Sequence, residues 1–220
     1  PYPDDIRHSV KNAPVHAEDL ALNASGRTVR VRGIGIIPDQ NLTDCVEDVL
    51  PVKDGIVQPD TSRDLLAFDC VERHGRRGGI GKTFVRGLGL KQGAIAVSVG
   101  HDTHNLMVAG ADYHDMAVAA NRVTAMQGGI ALVLNGRCIG DLPLPVAGLM
   151  SDVMTATEMS ERLTALCDAA SQQLGVTLHD PFMHLSFASL VTSPKWKLTD
   201  LGLIDTERGQ ILDPILQGRW

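Results

Sequence analysis

The sequence predicts a mixed α+β fold, with a β-rich first part followed by a layered α/β domain that has two main helices. The first part contains short runs that alternate polar with apolar residues between turn signals. The run "AIAVSVG" further on is almost wholly apolar, as in a strand buried on both faces. Two later segments have helical periodicity with capping residues. We therefore divide the chain into a β-rich segment with a linker, residues 1–64, and an α+β domain, residues 65–220.

The β-rich segment begins after an extended linker, residues 1–26, which ends in the turn signal "NASG". The run from Arg27 to Ile37 alternates basic and apolar residues and predicts a strand with one solvated face. The run "NLTDCVEDVLPV" and the turn at Lys53 to Gly55 predict a second strand and a hairpin. A further strand is expected from Leu65 onwards.

The two main helices have recognisable ends. Asp112 is the expected N-cap of the first helix, and Gly128 follows its last apolar position. A hairpin with an Asn-Gly turn comes next. The second helix starts at Thr155, which forms a T-x-x-E capping box with Glu158, and it ends at Gly175.

Composition limits the range of partners. With 44% hydrophobic and 21% charged residues, the 220-residue chain resembles an ordinary packed globular protein. A net charge of −6 disfavours nucleic acid and anionic membranes, and no apolar run reaches the roughly 18 residues of a membrane helix. We expect no nucleic-acid or membrane partner. The polar, proline-rich start is unlike a signal peptide, so we expect a cytoplasmic protein, and the missing initiator Met suggests a fragment or processed product.

The stretch "GRRGGIGKT" is similar to a phosphate-binding loop but does not fit the pattern G-x-x-x-x-G-K-[ST]. Arg76 stands where the first glycine belongs. A phosphate loop also opens a helix, whereas the residues after Thr83 have a strand-like pattern with several glycines. We therefore predict a glycine-rich loop or hairpin, with an ATPase as the disfavoured alternative.

The segment "SVGHDTHNLMVAG" places polar side chains between two apolar runs. His101 and His104 could converge in a tight loop, and histidine titrates near neutral pH. Asp102 could orient an imidazole, so these three residues are the candidate catalytic residues. Asn105 can donate and accept hydrogen bonds, which makes it the candidate substrate-binding residue. The alternative is a polar turn. A metal site formed by this segment alone is disfavoured, because two histidines and one carboxylate in a row rarely have the geometry for metal binding without a distant third ligand.

Three motifs, in this order, resemble the carboxy-terminal region of adenine deaminases, which belong to the amidohydrolase superfamily. They are "VGHDTHN", "LPLPVAGLMSD" and "DPFMHLSF". The resemblance is dense from about Phe68 to Asp205 and looser from Ile6 to Leu50. The ordered combination is more specific than any one motif, and it implies that the β-rich segment is part of a β-sandwich that follows a catalytic barrel.

The resemblance implies that the complete enzyme hydrolyses adenine to hypoxanthine and ammonia. In the family a β/α barrel holds a pair of divalent metal ions (manganese, iron or zinc), which activate water. This sequence has no H-x-H pair and too few strand–helix repeats for a complete TIM barrel. We therefore expect no metal or other cofactor on this chain, and no activity from the chain alone.

The implied partners are adenine, the catalytic barrel of the same polypeptide and further copies in a homo-oligomer. The segment from His101 to Asn105 would face the open end of the barrel and help to close it over substrate. The same polar turn could instead form an inter-domain or inter-subunit contact. For the whole chain, the alternative function is a stand-alone ligand-binding or interaction module without catalysis.

Overall fold

The computed structural model describes residues 2–216, so Pro1 and residues 217–220 of the predicted units lie outside the described residues. The strands are β1 (Thr28–Ile36), β2 (Thr43–Lys53), β3 (Ile56–Val57), β4 (Leu65–Val71), β5 (Ile80–Arg86), β6 (Ala94–Val97), β7 (Leu106–Gly110), β8 (Gly129–Leu134), β9 (Arg137–Pro143), β10 (Trp196–Thr199), β11 (Gly202–Asp205) and β12 (Gln210–Leu212). The helices are α1 (Asp4–Arg7), α2 (Ala17–Leu20), α3 (Tyr113–Ala125), α4 (Ala156–Leu174) and α5 (Pro181–Phe187).

Within residues 2–216, nine strands form one sheet in the order β3-β2-β1-β5-β4-β7-β6-β8-β9. The strands β10, β11 and β12 form a small antiparallel sheet. In the large sheet the pairing of β1 with β5 is parallel, and every other pairing is antiparallel. Residues on both sides of the predicted boundary at Asp64 thus contribute strands to one sheet. The division into two units stays a prediction.

Helices cover both faces of the large sheet. On one face, α2 and α3 pack over a core that includes Phe84, Val108 and Met116. On the other face, α4, α5 and the small sheet enclose a second core, which includes Phe68 and Leu132. The described strands form no closed barrel. The predicted α+β class, with a β-rich start and two main helices, is confirmed.

The predicted start of α3 and both predicted ends of α4 are also confirmed, whereas α3 ends at Ala125, with Gln127 rather than Gly128 as its first left-handed residue (φ of +61°). The Asp112 side chain accepts a hydrogen bond from the backbone N–H of Asp115 at the start of α3. Thr155 and Glu158 form the capping box of α4, and Gly175 ends it in the left-handed conformation, with φ of +79°. Caps of this kind satisfy backbone groups that have no partner inside the helix.

The first residues are not a free linker, which corrects the sequence prediction. Val10, Val15 and Leu20 are buried, and the backbone of Val15 exchanges two hydrogen bonds with the Asn121 side chain on α3. The prediction failed because these apolar residues are too sparse to produce a periodic pattern. None of the helices within residues 2–216 combines the length and the apolar composition that a membrane span requires.

Candidate functional site

The candidate residues lie in the histidine loop (residues 100–105), which connects the central strands β6 and β7. The rings of His101 and His104 are half-buried, with centroids 5.7 Å apart, so the loop does bring the two imidazoles together. Asp102 is exposed, whereas Asn105 is buried. His104 adopts the left-handed backbone conformation, with φ of +52°. The loop thus presents two imidazoles and one carboxylate at the end of the central strands.

Two serines hold His101: Ser186 of the "DPFMHLSF" segment and Ser189, which lies just after it. The Ser186 hydroxyl lies 2.5 Å from His101 Nδ1, and it accepts a hydrogen bond from the His101 backbone N–H at 3.2 Å. The Ser189 hydroxyl donates to the His101 carbonyl at 2.8 Å. Both serines are buried at the end of α5. Because the serines are some 85 residues away in the chain, no local pattern pointed to them.

Arg73 holds the other end of the histidine loop. Its guanidinium donates to the His104 carbonyl, to the Ser9 hydroxyl at 3.0 Å and to the Ala147 carbonyl at 2.9 Å. Only 2% of the Arg73 surface is exposed, and burial lowers the pKa of Arg73 without making it neutral. The buried Arg73 side chain therefore joins the segments around Ser9 and Ala147, and its own segment just after strand β4, to the histidine loop.

Asn105 is used inside the fold. Its Oδ1 accepts from the Arg73 backbone N–H at 3.3 Å, and its Nδ2 donates to Asp200 at 3.0 Å. Asp200 reaches it because the β10–β11 turn lies directly on β5 at Gly81, where a Cβ would stand 1.8 Å from the Thr199 carbonyl. These contacts anchor the loop, and binding of substrate by Asn105 stays a prediction.

The environment of His104 favours the neutral imidazole. Burial lowers the pKa of His104, and the neighbouring His101 and the Arg73 guanidinium lower it further. Within residues 2–216, the buried Nδ1 atom of His104 has no hydrogen-bond partner. A neutral ring can accept or donate one hydrogen bond at each nitrogen, as its tautomer dictates.

The neighbouring arginine loop (residues 74–79) contains most of the glycine-rich stretch. The carboxylate of Glu72, just before the loop, accepts from the backbone N–H groups of His74, Arg76, Arg77 and Gly78 at 2.6–3.1 Å. These are amides of the kind that would surround a phosphate. The stretch continues into strand β5, which pairs antiparallel with β4, rather than into a helix, so the predicted glycine-rich hairpin is confirmed.

One cluster of possible metal ligands occurs within the described residues, at Asp112, His114 and Asp115. Its carboxylates already have partners, because Asp112 caps α3 and Asp115 accepts from the backbone N–H groups of Asn135 and Gly136 at 3.0 and 2.6 Å. The exposed His114 adds no buried donor. The cluster therefore fits a helix cap joined to a hairpin turn and does not fit a binuclear metal centre.

An apolar groove of about 480 Å³ lies beside the histidine loop. Val99, Met150, Met159 and Phe182 are among the residues that line it. Val99 precedes the histidine loop, and Phe182 is one turn of α5 before Ser186. The groove is thus adjacent to the histidine loop along the chain.

Comparison with known proteins identifies the family. A family model described as the adenine deaminase C-terminal domain matches residues 40–210. The chain belongs to this family. The matched region contains the histidine loop, the arginine loop and α5, so the adenine deaminase resemblance is confirmed in the region where the site lies.

Curated adenine deaminases agree with this result. The chain is 53% identical over 214 residues to "Adenine deaminase 1" of Carboxydothermus hydrogenoformans, 97% of this chain and 36% of that protein. It is 45% identical to an adenine deaminase of Cereibacter sphaeroides, over 94% of this chain and 36% of that protein. It is 41% identical to the adenine deaminase of Methanococcoides burtonii, over 97% of this chain and 37% of that protein. The chain therefore spans just over a third of the length of these relatives.

Proposed function

We propose that this chain is the C-terminal part of an enzyme that hydrolyses adenine to hypoxanthine and ammonia. The observation that carries the proposal is the family match over residues 40–210, together with 53% identity to a named adenine deaminase. In this proposal the complete polypeptide is a cytoplasmic, metal-dependent enzyme that forms a homo-oligomer. When bound, the metal ions supply the activated water, and residues outside this chain hold them.

The histidine loop is the part of this chain that we assign to the active site. Its backbone is fixed from both ends, by Arg73 and by Ser186 and Ser189, so its side chains are pre-organised. His101, Asp102 and His104 are the groups that it presents. In this proposal they contact the substrate and help to exclude water from the reacting carbon.

The apolar groove supports placing this face against another part of the polypeptide. It exposes apolar surface beside Met150, whose exposed fraction is 55%, and Val153, whose exposed fraction is 78%. Apolar surface of this kind is buried favourably in a contact with another part of the protein. Such a contact would bring the histidine loop to the edge of the catalytic centre.

The test compares the 220-residue chain with the complete polypeptide that contains it. Each is purified, its metal content is measured by elemental analysis, and ammonia release from adenine is followed. We expect activity and stoichiometric metal in the complete polypeptide and neither in the chain alone. Ammonia release by the chain alone, or stoichiometric metal bound through its own imidazoles, contradicts the proposal.

A further inference from the structure

We propose that Ser186 is a positioning residue that holds His101 in the tautomer with its proton on Nε2. In this tautomer, His101 donates a hydrogen bond to a ring nitrogen of the bound aminopurine. The identity of the ligand rests on the proposed function. The tautomer follows from the contacts of Ser186 alone and can be measured separately.

The contact between Ser186 and His101 involves two hydrogen-bonding groups of His101. The Ser186 oxygen accepts the backbone N–H of His101, and it lies 2.5 Å from the Nδ1 atom of the same residue. Either the Ser186 oxygen or the Nδ1 atom must carry the hydrogen that lies between the two. The hydroxyl has one hydrogen to donate, and a neutral imidazole has one nitrogen that accepts.

Burial decides between the two arrangements. Ser186 has no exposed surface. Within residues 2–216 its hydroxyl forms hydrogen bonds with the backbone N–H and the Nδ1 atom of His101 and with no other group. If Nδ1–H donated to the oxygen, the hydroxyl hydrogen would be left in a buried site without an acceptor, which is unfavourable. If the hydroxyl donates to Nδ1, every hydrogen is used. The proton of the neutral ring then lies on Nε2.

The surrounding structure keeps this contact in place. Asp180 caps α5 by accepting from the backbone N–H of Met183 at 3.1 Å, and Ser189 at the other end donates to the His101 carbonyl. The His101 ring lies against Phe187, with ring centroids 5.8 Å apart. The ring is therefore restrained by a hydroxyl and by an aromatic neighbour.

The chemical consequence concerns the direction of the hydrogen bond to the ligand. With Nδ1 used by Ser186, the atom left to meet a ligand is Nε2, and in this tautomer it is a donor. The ring nitrogens of an unprotonated purine carry lone pairs that accept such a bond. Donation to a ring nitrogen also stabilises the electron density that builds up there as water adds to the neighbouring carbon. His101 is thus assigned as a donor and not as the base that takes a proton from water.

The experiment uses the complete polypeptide with 15N-labelled histidine and assigns the His101 ring by its loss in His101→Ala. Long-range 15N–1H spectra distinguish the protonated from the unprotonated ring nitrogen. Ser186→Ala is compared with Ser189→Ala, which removes a buried hydroxyl from the same helix end without touching the ring. Ser186→Cys restores a weaker donor of similar size.

We expect the Nε2–H form in the wild type and in Ser189→Ala, and a mixture of tautomers in Ser186→Ala. We also expect Ser186→Ala to lower kcat about tenfold, with less change in KM and partial recovery in Ser186→Cys. An Nδ1–H ring in the wild type, or an unchanged tautomer in Ser186→Ala, overturns the proposal. Wild-type turnover in His101→Ala would reject the contact with substrate, whatever tautomer is found.

Discussion

The arginine loop and the histidine loop lie side by side, and in sequence each looks like a binding loop. Their polar groups are used differently. The backbone amides of the arginine loop converge on a carboxylate of the same segment, Glu72, and so are occupied. The histidine loop is held from outside, by Arg73 and Ser189, through its backbone carbonyls. This anchoring uses the carbonyls, the Asn105 side chain and the Nδ1 atom of His101, so the side chains of Asp102 and His104 and the other ring nitrogen of His101 take no part in it. The arginine loop, by contrast, has already used its binding groups.

The largest effect should come from removing Arg73, which supports the histidine loop. Arg73→Ala removes a buried donor from the partly buried carbonyls of His104 and Ala147, and we expect the free energy of unfolding to fall by about 3 kcal/mol. Chemical denaturation measures this change. The matched control is Arg76→Ala, an exposed arginine of the neighbouring loop, with an expected change within about 0.5 kcal/mol. Equal effects for the two variants would mean that Arg73 is not the anchor.

A smaller effect is expected from Glu72, which supports only the arginine loop. Burial alone would raise the pKa of Glu72, but backbone N–H groups from Arg77, Gly78, Arg76 and His74 lower it to about 2, from an ordinary 4.5. The charged carboxylate therefore stabilises the fold above pH 4.5, and this stabilisation is lost as pH falls from 4.5 towards 2. We expect Glu72→Gln to cost about 2 kcal/mol at neutral pH.

Denaturation of the wild type and Glu72→Gln across this pH range gives the test. The difference between the two proteins should shrink as the pH approaches 2. A difference that is independent of pH would show that the carboxylate is not held by the amides. Turnover of the complete polypeptide should change less in Glu72→Gln than in Arg73→Ala, since Arg73 bonds directly to the histidine loop and Glu72 does not.

A third, weaker effect concerns Lys197, which supports the histidine loop indirectly. Its Nζ atom donates to the Phe187 carbonyl at the end of α5, at 3.2 Å, and it has no exposed surface. Burial lowers the pKa of Lys197 from 10.5 to about 8. Between pH 8 and 10.5 the unfolded chain binds more protons than the folded one, so the lysine favours folding increasingly as pH rises.

Lys197→Met removes the charge and keeps a side chain of similar length. The stability of the wild type relative to Lys197→Met should therefore rise as the pH increases from 8 to 10.5, and it should be constant below pH 8. Thermal or chemical unfolding of both proteins over this range measures the difference. A stability difference that does not change with pH would mean that Lys197 titrates like an ordinary, solvated lysine.

The last prediction is that the arginine loop does not bind nucleotides, so Lys82→Met should have no effect on ATP binding. Its amides are bonded to Glu72, and the Lys82 amine donates to the Ala21 carbonyl at 3.0 Å. We therefore expect no saturable binding of millimolar ATP in equilibrium dialysis, with or without Lys82→Met. Saturable binding that depends on Lys82 would show that the two loops are more alike than the structure indicates.

The sequence predicts the local features of this fold well. The ends of α3 and α4 follow from caps at Asp112 and Thr155, and the β8–β9 hairpin follows from its Asn-Gly turn, where Asn135 and Gly136 have φ of +52° and +73°. Each depends on residues a few positions apart, whose backbone preferences act without tertiary contacts. The histidine loop was found in the same way, as a local change in polarity.

The supports of the site could not be predicted in this way. Ser186 bonds to a residue 85 positions away, and Arg73 joins Ser9 to Ala147 across 64 and 74 positions. Serine and arginine are common at surfaces, so nothing in the sequence marks these two as buried. The role of Glu72 was missed because a carboxylate beside a glycine-rich stretch looks like an ordinary surface charge.

The most direct test of the account is turnover of adenine by His101→Ala and His104→Ala in the complete polypeptide, with metal content measured on the same samples. Each variant should lose roughly a hundredfold in kcat/KM and keep the metal content of the wild type, because we propose that the histidine loop contacts the substrate and that residues outside this chain hold the metal ions. Wild-type turnover in both variants, or loss of metal in either, would contradict the account.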